Sequence, residues 1–193
     1  MSAFRVAALL LPAAAAFLAP ALWKWRPGWK AATLGHGALL ALVLAWGLAA
    51  GASLSILAPV LAVATAFAGF ALGLHLAAGQ VASGLVVIAL CSTLFLAPPV
   101  VAHAVEAKQV GEAQERLNTM LSVNPWAVLA ADVFGIDLLR DLPSMYRSSH
   151  AMADFVEARP PSWGGVAAGF AAAGLFFAGV SVAAARLRRK PAP

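Results

Sequence analysis

Residues 31–105 read AATLGHGALLALVLAWGLAAGASLSILAPVLAVATAFAGFALGLHLAAGQVASGLVVIALCSTLFLAPPVVAHAV, and no Asp, Glu, Lys or Arg occurs among these 75 residues between Lys30 and Glu106. A helix needs about 20 apolar residues to cross a hydrocarbon core of roughly 30 Å. The stretch therefore holds three crossings joined by tight turns. A water-soluble helix carries a polar face on its 3.6-residue period, and none is visible here. The solvent of this part of the chain is a lipid bilayer.

Composition extends that reading to the whole chain. It has 193 residues, 62% hydrophobic and 11% charged, and a mean hydropathy of +0.86. Soluble domains carry about 25% charged residues. Ala, Leu and Gly dominate the apolar runs, which favours helices; a barrel would alternate apolar and polar residues in segments of about ten. The fold class expected is all-α: a polytopic helical membrane protein.

Working outward, Val6–Trp23 forms the first apolar segment, with Pro12 and Pro20 inside it. Proline is tolerated in membrane helices. A cleaved signal peptide is the rival reading of this segment. The sequence Trp23-Lys24-Trp25-Arg26-Pro27-Gly28-Trp29-Lys30 follows, three cations interleaved with three tryptophans, the signature of a membrane interface. The next spans are expected at Ala31–Ala50, Leu54–Ala78 and Val81–Ala102, turning at Gly51-Ala52-Ser53 and at Gly79-Gln80. A final one is expected at Gly164–Ala185, followed by Arg186, Arg188, Arg189 and Lys190.

Between the fourth and last segments the composition changes. All eight acidic residues fall between Glu106 and Glu157. The chain thus divides into a four-span region (1–103) with its basic loop 24–30, an extracytoplasmic region (104–162), and a final span with a basic tail (163–193). Cations collect on the cytoplasmic side of membrane proteins. Five crossings place both the 24–30 loop and the tail there, with the N-terminus outside and the C-terminus cytoplasmic; Arg5 is a minor conflict. A bacterial inner membrane fits this arrangement.

The extracytoplasmic region carries short amphipathic patterns. Lys108, Glu112 and Arg116 repeat every four residues within 104–118, a solvated helical face. Asn124-Pro125 is sharper: Asn is a strong N-cap and Pro suits the first helical position. The helix expected from Pro125 to Leu142 places Trp126, Leu129, Val133 and Ile136 along one stripe. Leu139/Arg140 falls along or beside that stripe, and Asp132 and Asp137 prevent the helix from spanning, so it should lie in the interface or dip partway in.

Asn124-Pro125-Trp126-Ala127-Val128, the helix down to Leu138-Leu139-Arg140, and the final span with its basic tail resemble the C-terminal part of ABC-2-type transporter permeases. That family places short helices on the outer face before a last span and a basic cytoplasmic tail. The resemblance covers about residues 80–190. Permeases of this family usually have six spans and both termini inside, so five spans would correspond to their last five. The resemblance implies a separate ATPase, which Lys24, Arg26 and Lys30 would contact, and a pathway shared with another membrane subunit or a second copy.

Other residues invite chemistry. His36 and His75 lie near one end of adjacent antiparallel spans, and facing histidines hold haem b in membrane cytochromes. A small structural or haem-anchoring subunit of a respiratory or photosynthetic complex is therefore the alternative reading; neutral histidines bonded to a carbonyl or water are the plain one. His103 and Glu106 read as a solvated rim, since a metal site needs three or four ligands. Gly69-x-x-x-Gly73 and Gly165-x-x-x-Gly169 allow close helix approach, within the chain or to a partner. Cys91, Ser92 and Thr93 are mid-span, where hydroxyls bond back to helix carbonyls. No phosphate loop, HExxH or CxxC occurs, and no constellation supports an enzyme. The basic residues sit at membrane edges, so nucleic acid is not an expected partner.

Overall fold

A computed structural model of the chain describes residues 3–25, 29–92, 115, 119, 122–136 and 162–188. The described segments are helical, with no strand among them. They are α1 (Ala3–Trp25), α2 (Trp29–Ala49), α3 (Leu54–Ala78), α4 (Gln80–Ser92), a short α5 (Pro125–Val128) continuing into a wider π turn (Leu129–Val133), and α6 (Trp163–Arg188). Three helical stretches are long and apolar enough to cross a membrane: Ala3–Lys24, Leu54–Ala78 and Trp163–Leu187. Thr33–Ala49 and Gln80–Ser92 are shorter apolar helices. The protein thus has the helical membrane character that the sequence predicts, with three full-length spans among the described residues.

The predicted boundaries differ little from the observed ones. The third segment coincides with α3. The last begins one residue early, at Trp163, and runs to Arg188. Of the expected fourth span, residues up to Ser92 are helical and the remainder lies outside the described residues.

α3 is the hub. Its buried residues run from Leu57 to Leu74 and include Val60, Val63, Ala64, Phe67 and Ala71. α1 packs along it in the same direction. Near the start of both, Gly47 of α2 touches Phe4 of α1 and Leu57 of α3 together. At their far ends Lys24 lies in the last turn of α1 and His75 in the last turn of α3. α2 runs antiparallel to α1: Leu22 meets Gly35 at one end, and Phe4 stacks edge-on against Trp46, 6.0 Å between centroids, at the other.

Both inner turns follow from glycine. Gly51 (φ 76°) and Gly79 (φ 89°) have left-handed backbones, which only glycine enters without strain. At Gly79 the chain reverses through one residue. Its N–H bonds the His75 carbonyl, and Ser83, two per cent exposed, donates its hydroxyl to the Ala71 carbonyl at 2.8 Å. α4 therefore folds straight back against α3.

α6 packs against α3 in parallel. Phe67 meets Phe170 (4.7 Å between centroids), Gly73 meets Gly174, and Ser181 donates to the Leu76 carbonyl at 3.0 Å. The numbers rise together along both helices, which fixes the direction. Gly73 thus packs inside the chain, while Gly69 is itself exposed and only its carbonyl lies beside Gly174. Gly165 and Gly169 are exposed. Lipid tails offer no hydrophobic gain for burying one apolar helix against another, so packing fit and internal hydrogen bonds hold such helices together. Small residues at the α3–α6 crossing supply the first, and Ser83 and Ser181 the second.

One end of the bundle collects the ends of α1, α3 and α6 and the start of α2. Lys24 and Arg186 belong to it, and both are exposed. The opposite end holds the Gly51 turn, the start of α6 and the α5 element.

Candidate functional site

The most elaborate local structure is the α5 element, residues 124–136. The expected helix to Leu142 does not run that far. After Val128 the backbone widens: the Phe134 N–H reaches back to the Leu129 carbonyl and the Ile136 N–H to that of Ala130. Gly135 (φ 60°) then takes a left-handed conformation that stops the helix. The helix expected from Pro125 to Leu142 runs through this glycine.

Its placement also differs from an interfacial stripe. Ala127, Val128, Leu129 and Ala130 are all buried, on every side of the turn. Val128 belongs to a cluster with Phe67, Val87, Cys91, Val166 and Phe170; Leu129 belongs to one with Phe4, Leu57 and Val60. The element is a plug seated between α1, α3, α4 and α6. Irregular backbone survives at membrane depth only when protein covers it.

Two polar side chains hold the plug. Asn124 is fully buried. Its Oδ1 accepts from the N–H groups of Trp126 (2.9 Å) and Ala127 (3.1 Å), the N-cap expected from the sequence. Its Nδ2 donates to the Leu90 and Cys91 carbonyls at 3.1 and 3.3 Å. The amide therefore uses both ends, one within α5 and the other across to α4. Asp132 has a role the sequence did not reveal. Its Oδ2 accepts from the Trp163 N–H at 2.8 Å, satisfying one of the free donors at the start of α6. An acidic group at a helix start also complements its dipole. The contact spans 31 residues, beyond the reach of any local capping pattern.

The histidines are not brought to one depth. His36 Nε2 lies 3.3 Å from Thr65 Oγ1. Thr65 and His75 are ten residues apart on α3, about 15 Å along its axis. The facing-histidine arrangement behind the haem reading is absent. The Thr65 hydroxyl donates to the Leu61 carbonyl at 2.7 Å, so toward His36 it acts as acceptor and the imidazole donates from Nε2. Nδ1 of His36 is buried without a hydrogen-bond partner, as are Nδ1 of His75 and Nε1 of Trp126.

Of the partner-contact residues expected, Lys24 is exposed at the end of α1, Lys30 falls in the first turn of α2, and Arg26 lies outside the described residues. Asp137, Arg140, His103, Glu106, Lys108, Glu112 and Arg116 lie outside them too. Sequence reasoning passed over Ser83, Ser181 and Gly174. Ser181 carried a signal, being the only polar side chain in Gly164–Ala185.

No family model, curated protein or solved structure matches the chain.

Proposed function

We propose that this protein is the membrane-embedded, non-catalytic subunit of a transport complex of the ABC type, driven by a separate ATPase. The observation that carries the reading is the plug. A short Asn-Pro-capped element is pinned by Asn124 to α4 and by Asp132 to the final helix, at the end of the bundle opposite the basic tail. Short capped helices before a last span are what the sequence shares with ABC-2-type permeases. The plug is irregular backbone buried among four helices, the kind of element that lines pathways in transporters.

In this reading α2 and α4 complete two further crossings, giving five. The described part of α4 rises about 20 Å, and the apolar residues after Ser92 supply the rest. The end bearing Lys24 and Arg186 faces the cytoplasm by the positive-inside rule, the plug faces the exterior, and the N-terminus is outside. Lys24, Arg26 and Lys30 form the contact for the ATPase, and exposed faces of α6 meet another membrane subunit or a second copy. A bacterial inner membrane is the setting.

The test is purification from the native membrane in mild detergent, with mass spectrometry of the proteins retained. Recovery of an ATPase bearing a phosphate-binding loop supports the reading. Recovery of haem or iron–sulfur subunits instead makes the chain an anchor in a redox complex. Labelling of a cysteine placed at Gly28 from the outside of intact cells overturns the orientation.

A further inference from the structure

We propose that Asp132 is a latch: its bond to the start of α6 holds residues 124–136 in their seat, and its release lets the plug leave as one body while α6 stays folded. The inference rests on the geometry of the plug and not on the transport reading.

The plug is tied together from within. The Asn124 side chain caps the Trp126 and Ala127 N–H groups, and its carbonyl takes the Val128 N–H at 3.2 Å. The Phe134 and Ile136 N–H groups return to the Leu129 and Ala130 carbonyls at 3.1 and 2.8 Å. Because these bonds close within the plug, none of them must break when it moves. Its outward bonds differ in kind. Asn124 donates to α4 from a fully buried position, whereas Asp132 accepts from α6 at an exposed one. Water can replace the Trp163 N–H on an exposed carboxylate, so the Asp132 bond is the one that opens more readily.

α6 does not depend on that bond. Ser162 precedes its first turn, and Ser is a preferred N-cap. Its hydroxyl accepts from the Gly165 N–H at 3.5 Å and its carbonyl from the Val166 N–H at 3.2 Å. The two side chains thus divide the free donors of the helix start: Asp132 takes that of Trp163 and Ser162 that of Gly165. When Asp132 leaves, Ser162 keeps the helix capped.

The seated state also carries a cost that opening relieves. Trp126 Nε1 is buried without a hydrogen-bond partner, and a buried donor left unpaired is unfavourable until it meets water. The π turn at Leu129–Val133 is of the kind that gathers at functional sites. Movement of the plug uncovers the side chains that cluster with Val128, among them Val87, Cys91 and Phe170.

The test uses the full chain in its native membrane. Cys91 is labelled with N-ethylmaleimide, which crosses membranes, and the rate is read by mass spectrometry. Labelling follows the open population when opening and closing outpace it. Asp132→Ala should label about threefold faster than the native chain or more, the loss of one cap expressed as a shift in that population. Ser162→Ala, which weakens the same helix start from its other side, should label at the native rate. Equal acceleration by both variants means that α6 frays, and overturns the latch; so does a native rate in folded Asp132→Ala. Hydrogen exchange of the native chain needs no variant. The amides of Trp126, Ala127, Phe134 and Ile136 should share one rate, faster than that of the α6 amides beyond Phe170. Separate rates, or a plug that exchanges as slowly as α6, overturn the proposal whether or not the variants fold.

Discussion

Gly73 of α3 and Gly174 of α6 touch backbone to backbone. A Cβ added at Gly73 would run into the Gly174 carbonyl, and one added at Gly174 would stand 2.9 Å from the Gly69 carbonyl and the Phe70 nitrogen. Neither obstacle is a flexible side-chain tip, so relief requires the helices to part. With them would go the Phe67–Phe170 and Phe70–Phe170 ring contacts and the Ser181–Leu76 hydrogen bond.

Gly73→Ala should therefore destabilise the bundle by about 1–3 kcal/mol, the usual cost of overpacking, read as a lower melting temperature in detergent. Gly169→Ala supplies the contrast. A Cβ at Gly169 meets nothing within 4 Å, and Ala is the better helix former by about 1 kcal/mol, so that variant should melt at the same temperature or higher. Equal losses at the two sites would disprove the crossing.

Asn124 allows its two roles to be separated. Asn124→Ala removes the N-cap and leaves buried backbone groups of α5 without their partner; a lost cap costs about 0.5–2 kcal/mol. Asn124→Asp keeps an oxygen for the Trp126 and Ala127 N–H groups. It deletes the donor to Leu90 and Cys91 and sets a buried carboxylate against their carbonyls. Cys91 reports on this directly. It is the only cysteine and is buried. If Asn124 pins the plug to α4, Asn124→Asp raises the rate at which a membrane-permeant thiol reagent labels Cys91. An unchanged rate, with the variant folded, would show that the pin does not hold this site closed.

The contrast between what sequence shows and what it hides is physical. α3 was legible to the residue because its ends are marked by Ser53 and Gly79 and its interior is uniformly apolar. The Asn124 cap was legible because its partners are two and three residues away. The plug was not. Burial on all sides and partial burial along one stripe differ only in what surrounds the turn, and four non-adjacent helices surround this one. Asp132 shows the same limit: its carboxylate blocks a span in the sequence and caps a helix 31 residues later in the fold. The two histidines lie at different depths for a related reason. Helix register is set by packing, here the fit of Leu22 to Gly35 and of Phe4 to Gly47, and not by counting residues from each end.

Asp132 can be tested by charge and shape separately. Asp132→Asn retains an oxygen for the Trp163 N–H and loses the interaction with the dipole of α6, a loss of about 0.3–1 kcal/mol. Asp132→Ala also removes the hydrogen bond and should cost more, about 0.5–2 kcal/mol by analogy with other caps. Because the residue is exposed, added salt should narrow the gap between the native protein and the Asn variant. Identical melting of all three proteins would mean that the plug and α6 are held by packing alone.

Two of the side-chain hydrogen bonds that cross to α3, those of Ser83 and His36, should differ in worth. Ser83 is buried and donates to a carbonyl on the adjoining helix. Ser83→Ala removes that bond with almost no change of shape, so its cost should be about 0.5–1.5 kcal/mol. The His36–Thr65 bond is longer, at 3.3 Å, and exposed. Thr65 retains its bond to Leu61 within α3 whether or not His36 is present, and interhelical hydrogen bonds in membranes average only about 0.6 kcal/mol. His36→Ala should therefore lower the melting temperature less than Ser83→Ala does, even though it deletes the larger side chain. The opposite ranking would mean that the unpartnered Nδ1 of His36 has a ligand in the membrane, and would direct attention to α2.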